Sequence, residues 1–184
     1  MLKDVIVVEG KQDIQAVNLG KGPASYTGLR IGASAAKGFA FALQIPLVAV
    51  NSMHSMVEPF LNQGYDVIIP LVDARRMEVY TLVSDGTSGE ELQETTNLIL
   101  DETSFAEFSD KKVLFVGDGC VKAQDILKLP NATFKADVYP SAKFLIREGN
   151  QRLENNQTED IAYFEPFYLK EFQGVKLANK TKKS

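Results

Sequence analysis

The chain has 184 residues, 20 Lys+Arg against 24 Asp+Glu and a formal net charge of −4, with 45% apolar and 24% charged residues. That balance is ordinary for a globular protein and excludes a disordered chain, a collagen-like repeat and a disulfide scaffold. One cysteine (Cys120) and one histidine (His54) cannot furnish the four N/S ligands of a structural zinc site.

Met1 to Gly10 reads as a short amphipathic piece. The opening residues lack a basic n-region followed by an apolar run, so the expectation is no signal peptide and a cytoplasmic location. Asp13 to Leu19 alternates partly and predicts a strand. Gly20 to Gly28 is a loop of Gly, Pro, Ser and Thr. Leu29 to Leu43 predicts a helix, with Leu29, Ala33, Ala36, Ala40 and Leu43 on one face and Pro46 as its stop. Leu47 to Val50 is wholly apolar, as expected of a buried parallel strand. Strand, loop, helix and strand make a βαβ unit. Asn51 or Ser52 then caps a helix over roughly Met53 to Leu61.

After Gln63-Gly64 the pattern changes. Val67 to Val72 and Met77 to Val83 flank the polar turn Asp73-Ala-Arg-Arg76 and predict a hairpin. Asn97 to Leu100 is a further short strand. Thr103 or Ser104 caps a short helix through Phe108. Val113 to Val116 is a buried strand ending at Gly117-Asp118-Gly119. Helices follow over Val121 to Leu129 and Ser141 to about Leu153. The expected organisation is a first lobe over residues 1–60, a second over 61–172 and a basic tail over 173–184.

Charge is uneven. Asp85 to Asp110 holds eight acidic residues and no basic ones, whereas Lys170 to Ser184 holds five lysines and one glutamate. The first stretch reads as a solvated acidic face, the second as a solubilising terminus that could touch phosphate or an acidic partner. The remainder, with 15 basic residues against 23 acidic, has the wrong sign for gripping nucleic acid unaided. No apolar run is long enough for a transmembrane helix.

The loop Gly22-Pro-Ala-Ser-Tyr-Thr-Gly28 before a helix could hold an anion on its backbone N–H groups. It lacks the terminal Gly-Lys-Ser/Thr of a P-loop and the Gly-x-Ser-x-Gly of a nucleophile elbow. The plainer reading is a structural turn with Thr27 capping the helix and Arg30 anchoring it. His54 alone cannot form a paired helical metal motif, and Cys120 has no evident base beside it. At the hairpin tip, Arg75 or Arg76 can pair with Asp73 or Glu78, a surface cluster of small energetic worth. The alternative is a recognition tip for a partner or a nucleotide phosphate. The small residues of the long helix suit either tight packing on its own sheet or a seam with a partner.

Three segments together resemble the TsaB (YeaZ) family: Gly22-Pro-Ala-Ser-Tyr-Thr-Gly-Leu-Arg-Ile-Gly32 followed by Ala36-Lys-Gly38 and Ile45-Pro-Leu47; Asp73-Ala-Arg-Arg-Met-Glu-Val-Tyr80; and Gly117-Asp118-Gly119 with the closing Pro166-Phe-Tyr-Leu-Lys170. Ala24 stands where the family usually has glycine, and Lys170 where it has arginine. The resemblance implies an α/β, actin-like fold of two ribonuclease-H-like lobes, here with an incomplete first lobe. It implies a shortened chain or a lobe completed by docking elsewhere. Within the family, TsaD transfers the threonylcarbamoyl group to tRNA, TsaE is an associated ATPase, and TsaB is regarded as non-catalytic. The expected role is therefore a scaffolding subunit that binds TsaD, reaches TsaE through that complex, can pair with itself, and meets tRNA only indirectly.

The expected partner-binding residues are Arg30, Ala33, Ala36, Lys37 and Ala40. The signature residues are Gly22, Pro23, Ser25, Tyr26, Thr27, Gly28, Asp73, Arg75, Arg76 and Glu78. No cofactor, metal or catalytic residue is expected. In actin-like ATPases two phosphate hairpins need glycine at the turn, and here Ala74 and Arg75 follow Asp73. The competing reading is a glycoprotease-like metallopeptidase or an ATP-dependent enzyme of the actin-like superfamily.

Overall fold

The structure is a computed structural model and describes residues 14–169. The readings of Met1 to Gly10 and of the basic tail lie outside the described residues. Among those described, two sheets form. The first pairs β1 (Val17–Gly20) with β2 (Leu47–Val50) in parallel, Val17 opposite Leu47. The helix α1 (Tyr26–Leu43) crosses between them.

Why α1 begins and ends there is local chemistry. Ser25 is extended (φ −60°, ψ 137°) and its hydroxyl accepts from the Gly28 N–H, so Ser25 and not Thr27 is the cap. At the other end Gln44 adopts a left-handed conformation (φ 53°), and its N–H donates to the Ala40 and Phe41 carbonyls. The helix thus ends at Leu43, ahead of Pro46.

β2 is buried along its whole length, because both faces are covered. Leu47 and Ala49 meet Ala33, Ala36 and Ala40 of α1, with Phe164 alongside. Val48 and Val50 meet Leu145, with Leu153 nearby. That second cover comes from far along the chain. A 3-10 turn, Ala142–Leu145, runs into α4 (Ile146–Glu154), which lies on the first sheet. The Asn18 amide donates to the Leu145 carbonyl (2.8 Å). Gly149 sits so close that a Cβ there would lie 2.0 Å from Asn18 Nδ2. Glu159 then bridges to Leu47.

The second sheet has the order β5-β4-β3-β6-β7. It is built from β3 (Val67–Asp73), β4 (Glu78–Asp85), β5 (Glu91–Ile99), β6 (Val113–Val116) and β7 (Ala132–Lys135). The first three form an antiparallel meander; β6 and β7 add in parallel. Alternation in the central strands separates two cores. Ile69, Leu71, Val79 and Phe115 face α3 (Cys120–Ile126) with Cys120 and Ala123. Ile68, Leu82, Leu114 and Val116 face α2 (His54–Val57) with Met53 and Met56. Burying such side chains stabilises by roughly 1.5–3 kcal/mol each.

Several expectations change. Asn51 Oδ1 accepts from the Met53 N–H, but the helix it opens is one turn, continued by a 3-10 turn over Glu58–Phe60. The cap at 103–104 is replaced by Asp101, whose carboxylate accepts from the Thr103 N–H and from both hydroxyls. The strand expected over Asn97 to Leu100 is the longer β5. The helix expected to Leu129 ends at Ile126, and β7 follows Pro130.

Gly117 has φ +115°, and a Cβ there would lie 2.4 Å from the Leu71 carbonyl oxygen. A Gly117→Ala chain should lose about 2–4 kcal/mol of unfolding free energy by denaturant titration, through backbone strain and displacement of β3.

Candidate functional site

A cleft of about 450 Å³ lies where the two sheets meet. One wall is the start of α1, with Pro23, Ala24, Ser25, Tyr26 and Leu29; the opposite wall is Val72, Asp73, Ala74, Arg75 and Tyr80 of the β3–β4 hairpin. Phe167, Tyr168 and Leu169 close it. The first two sequence signatures and the closing Pro-Phe-Tyr-Leu segment, remote in sequence, therefore share one cavity.

Each wall is fixed by identifiable bonds. Gly22 (φ +114°) has Phe167 O within 2.9 Å of where a Cβ would stand, so only glycine fits. Its N–H donates to Ser52 Oγ (3.0 Å), and the Phe167 N–H donates to the Lys21 carbonyl (2.8 Å). Tyr26 contacts Tyr168, ring centres 4.7 Å apart, and carries the Arg30 guanidinium 4.3 Å above its ring. Arg30 also donates to the Tyr26 hydroxyl (2.7 Å).

The hairpin tip is held from below. Arg75 and Arg76 both have positive φ (72° and 51°), a region disfavoured for long side chains. Five hydrogen bonds offset that strain. Asp73 Oδ1 accepts from the Arg75 N–H (2.6 Å), and Asp118 Oδ1 from the Asp73 N–H (2.8 Å). Lys122, on α3, donates to Asp73 Oδ1, the Arg76 carbonyl and the Glu78 carbonyl (3.0, 2.8 and 2.6 Å). Its side chain is only 16% exposed. Asp73 thus pairs with Lys122 and not with the tip arginines. Burial opposes the Asp73 charge, but the Arg75 N–H and the Lys122 ammonium outweigh it and hold the carboxyl below its usual range. Gly117-Asp118-Gly119 serves this tip, since Gly119 donates to Leu71 O while Asp118 reaches Asp73.

The five expected partner-facing residues fall in three environments. Ala33, Ala36 and Ala40 are buried in the chain's own core, where small side chains let α1 approach β2. Lys37 donates to the Ala162 and Phe164 carbonyls. Arg30 remains on the surface beside the cleft. The outward face of α1 is instead Thr27, Ile31, Ser34, Gly38 and Phe41, spaced by three and four residues and all exposed.

Burial pushes the Cys120 thiol up to about 12, well away from a reactive thiolate. His54 lies between Glu148 on α4 and Glu91 on β5, 2.5 Å from each. Burial alone would lower its pKa, but the two carboxylates reverse that and raise it to about 9. Both ring nitrogens donate, so neither is available as a base at neutral pH. Arg152 bonds the other Glu148 oxygen, and Arg147 grips Glu58 with two nitrogens. Partners 94 and 37 residues from His54 leave no local spacing to read; nor does Lys122, which reaches across 49 residues to Asp73.

The comparisons agree with this geometry. A family model described as "TsaD: tRNA N6-adenosine threonylcarbamoyltransferase" matches residues 9–174. The Bacillus subtilis protein named tRNA threonylcarbamoyladenosine biosynthesis protein TsaB is 37% identical over 110 residues, 58% of this chain and 47% of that relative. The Escherichia coli protein of the same name is 26% identical over 180 residues, 92% of this chain and 78% of the relative. The match thus spans about half the length of the first and over three quarters of the second. A Pseudomonas aeruginosa structure titled as similar to peptidase YEAZ superposes with a TM-score of 0.73 at 24% identity, covering 88% of this chain and 76% of that one. A second, titled YeaZ from the same organism, gives 0.69.

The fold is the actin-like one, with a cleft between its two sheets. The chain belongs to the threonylcarbamoyltransferase-related family that the model describes, in its TsaB (YeaZ) branch.

Two measurements check the site. Because the folded His54 pKa lies above its ordinary 6.5, the stabilisation it confers is present below pH about 6.5 and is lost as pH rises through about 9. Thermal midpoints should fall over that window, and the fall should be absent in His54→Gln. Removing the Lys122 ammonium in Lys122→Met should release the tip: trypsin should cleave after Arg75 and Arg76 about tenfold faster, with the core intact by circular dichroism.

Proposed function

We propose that this chain acts in forming threonylcarbamoyladenosine on tRNA as a non-catalytic subunit that docks on the TsaD transferase. The observation that carries this reading is the outward face of α1. Ile31 and Phe41 are 65% and 75% exposed on a helix whose other face is fully used by its own sheet. Among the described residues, no atom beyond the adjoining stretch of its own helix lies within 4 Å of where a Cβ on Gly38 would stand, which leaves room for a second helix to approach closely. Large apolar side chains flanking a small-residue gap suit a helix–helix seam and gain nothing in water. Supporting it, the raised Cys120 thiol and the doubly engaged His54 offer no activated nucleophile or base. At the cleft, Arg75 occupies a turn position where phosphate-binding hairpins use glycine.

On this reading TsaE is reached only through the TsaD complex, tRNA contact is indirect, and the site of action is the cytoplasm. Among the described residues no helix is long and apolar enough to cross a membrane.

The test is affinity for TsaD by calorimetry. Ile31→Glu and Phe41→Glu should each weaken the complex at least about 30-fold, the loss of roughly 2 kcal/mol expected at a buried apolar contact, with melting temperatures unchanged. Wild-type affinity in both would remove this interface. Ala36→Glu should instead unfold the chain, since it places a carboxylate against Leu47 and Ala49.

A further inference from the structure

The cleft between the sheets plays no part in the docking just proposed, yet it has the make-up of a small-ligand site. Its volume is about 450 Å³, within the roughly 300–1,000 Å³ usual for such sites. Tyr26, Tyr80, Phe167 and Tyr168 line it, and Leu29 and Val72 add aliphatic surface. Phe167 is 37% exposed, and the three tyrosines are half-buried. Aromatic side chains gathered in one cleft accept a flat ring by stacking.

The charge of the cleft is equally selective. Among the described residues, Asp73 and Arg75 are the charged members of the lining. Asp73 is paired with Lys122 at 3.0 Å. The exposed Arg75 guanidinium has no hydrogen bond or ion pair among the described residues. One positive charge is thus left to meet a ligand. The backbone of the tip adds nothing to it: the Asp73 N–H donates to Asp118, the Ala74 N–H to the Glu78 carbonyl and the Arg75 N–H to Asp73. A polyphosphate needs several such donors, whereas one guanidinium can hold a single carboxylate or phosphate through two parallel N–H groups.

We propose that this cleft binds a small molecule made of one flat heteroaromatic ring system and one anionic group, with the ring among the aromatic side chains and the anion on Arg75. A triphosphate is not its ligand. The site goes beyond the docking reading, on which only the choice of one probe rests. N6-threonylcarbamoyladenosine, a purine with a single carboxylate, is the member of this class that the proposed role supplies. Adenosine 5′-monophosphate is the member whose anion is a phosphate.

Titration calorimetry of the full chain alone tests this with those two probes, adenosine, and ATP with magnesium. At least one of the two anionic probes should bind with a Kd below about 0.3 mM; the tighter of them identifies the source of the charge. Adenosine, which lacks the anion, should bind at least about tenfold more weakly. Arg75→Gln should weaken the anionic probe about tenfold with an unchanged melting temperature, and Tyr80→Leu should weaken it about fivefold by removing a ring. No binding of either anionic probe overturns the proposal, as does adenosine binding equally well or an unchanged affinity in Arg75→Gln. ATP binding more tightly than both anionic probes also overturns it, because the site would then read a phosphate chain. The titrations contain no TsaD, so a failure of the docking interface at Ile31 and Phe41 leaves their outcome standing.

Discussion

The return of the chain after Pro140 onto the first sheet is the constraint on which the rest depends. β1 and β2 offer four residues each, too little to bury a core with one helix. Leu145 and Leu153 supply the missing cover, and Phe164 packs on the opposite face beside the α1 alanines. Three polar contacts fix the position of that returning segment: Asn18 to the Leu145 carbonyl, His54 to Glu148, and Arg147 to Glu58. Once it is fixed, residues 164–169 must cross beside Gly22, and the cleft acquires its third wall. Chain order and spatial order therefore part company: a segment late in sequence completes the layer that the earliest described residues begin.

Much of this was readable because burial and periodicity coincide. The wholly apolar stretches Leu47–Val50 and Val113–Val116 are strands covered on both faces, and the inward stripe of α1 is Leu29, Ala33, Ala36 and Ala40. The polar turn after Asp73 marked the hairpin. What escaped had no such signature. β5 is an exposed edge, so most of its residues are polar and alternation vanishes. β7 is four residues long, and Pro130 disfavours helical backbone at Leu129, so the helix ends short of it. The small residues of α1 were ambiguous because composition alone does not say which side faces the sheet. Lys122, Asp118 and the two carboxylates on His54 act across dozens of residues, and only the folded chain brings them together.

The cleft shows how one fold separates architecture from chemistry. One of its walls is the tip of the β3–β4 hairpin, and the other is the loop that leads into α1. At the hairpin the turn is kept by Asp73, Asp118 and Lys122, and side chains occupy the tip where backbone alone would meet a ligand. A lysine spent on carbonyls and a carboxylate inside its own protein has no proton left to donate outward. The hairpin is consequently rigid and well positioned while its inner charge is already consumed.

The alanines beneath α1 have one more effect. Because the helix rests on methyl groups, its axis lies close to β2, and nothing on its outer side contributes to that seating. Substitutions at positions 31, 34, 38 and 41 can therefore accumulate without disturbing the sheet. The outer face can change its chemistry one residue at a time, whereas a larger side chain at Ala33, Ala36 or Ala40 has to lift the whole helix off β2.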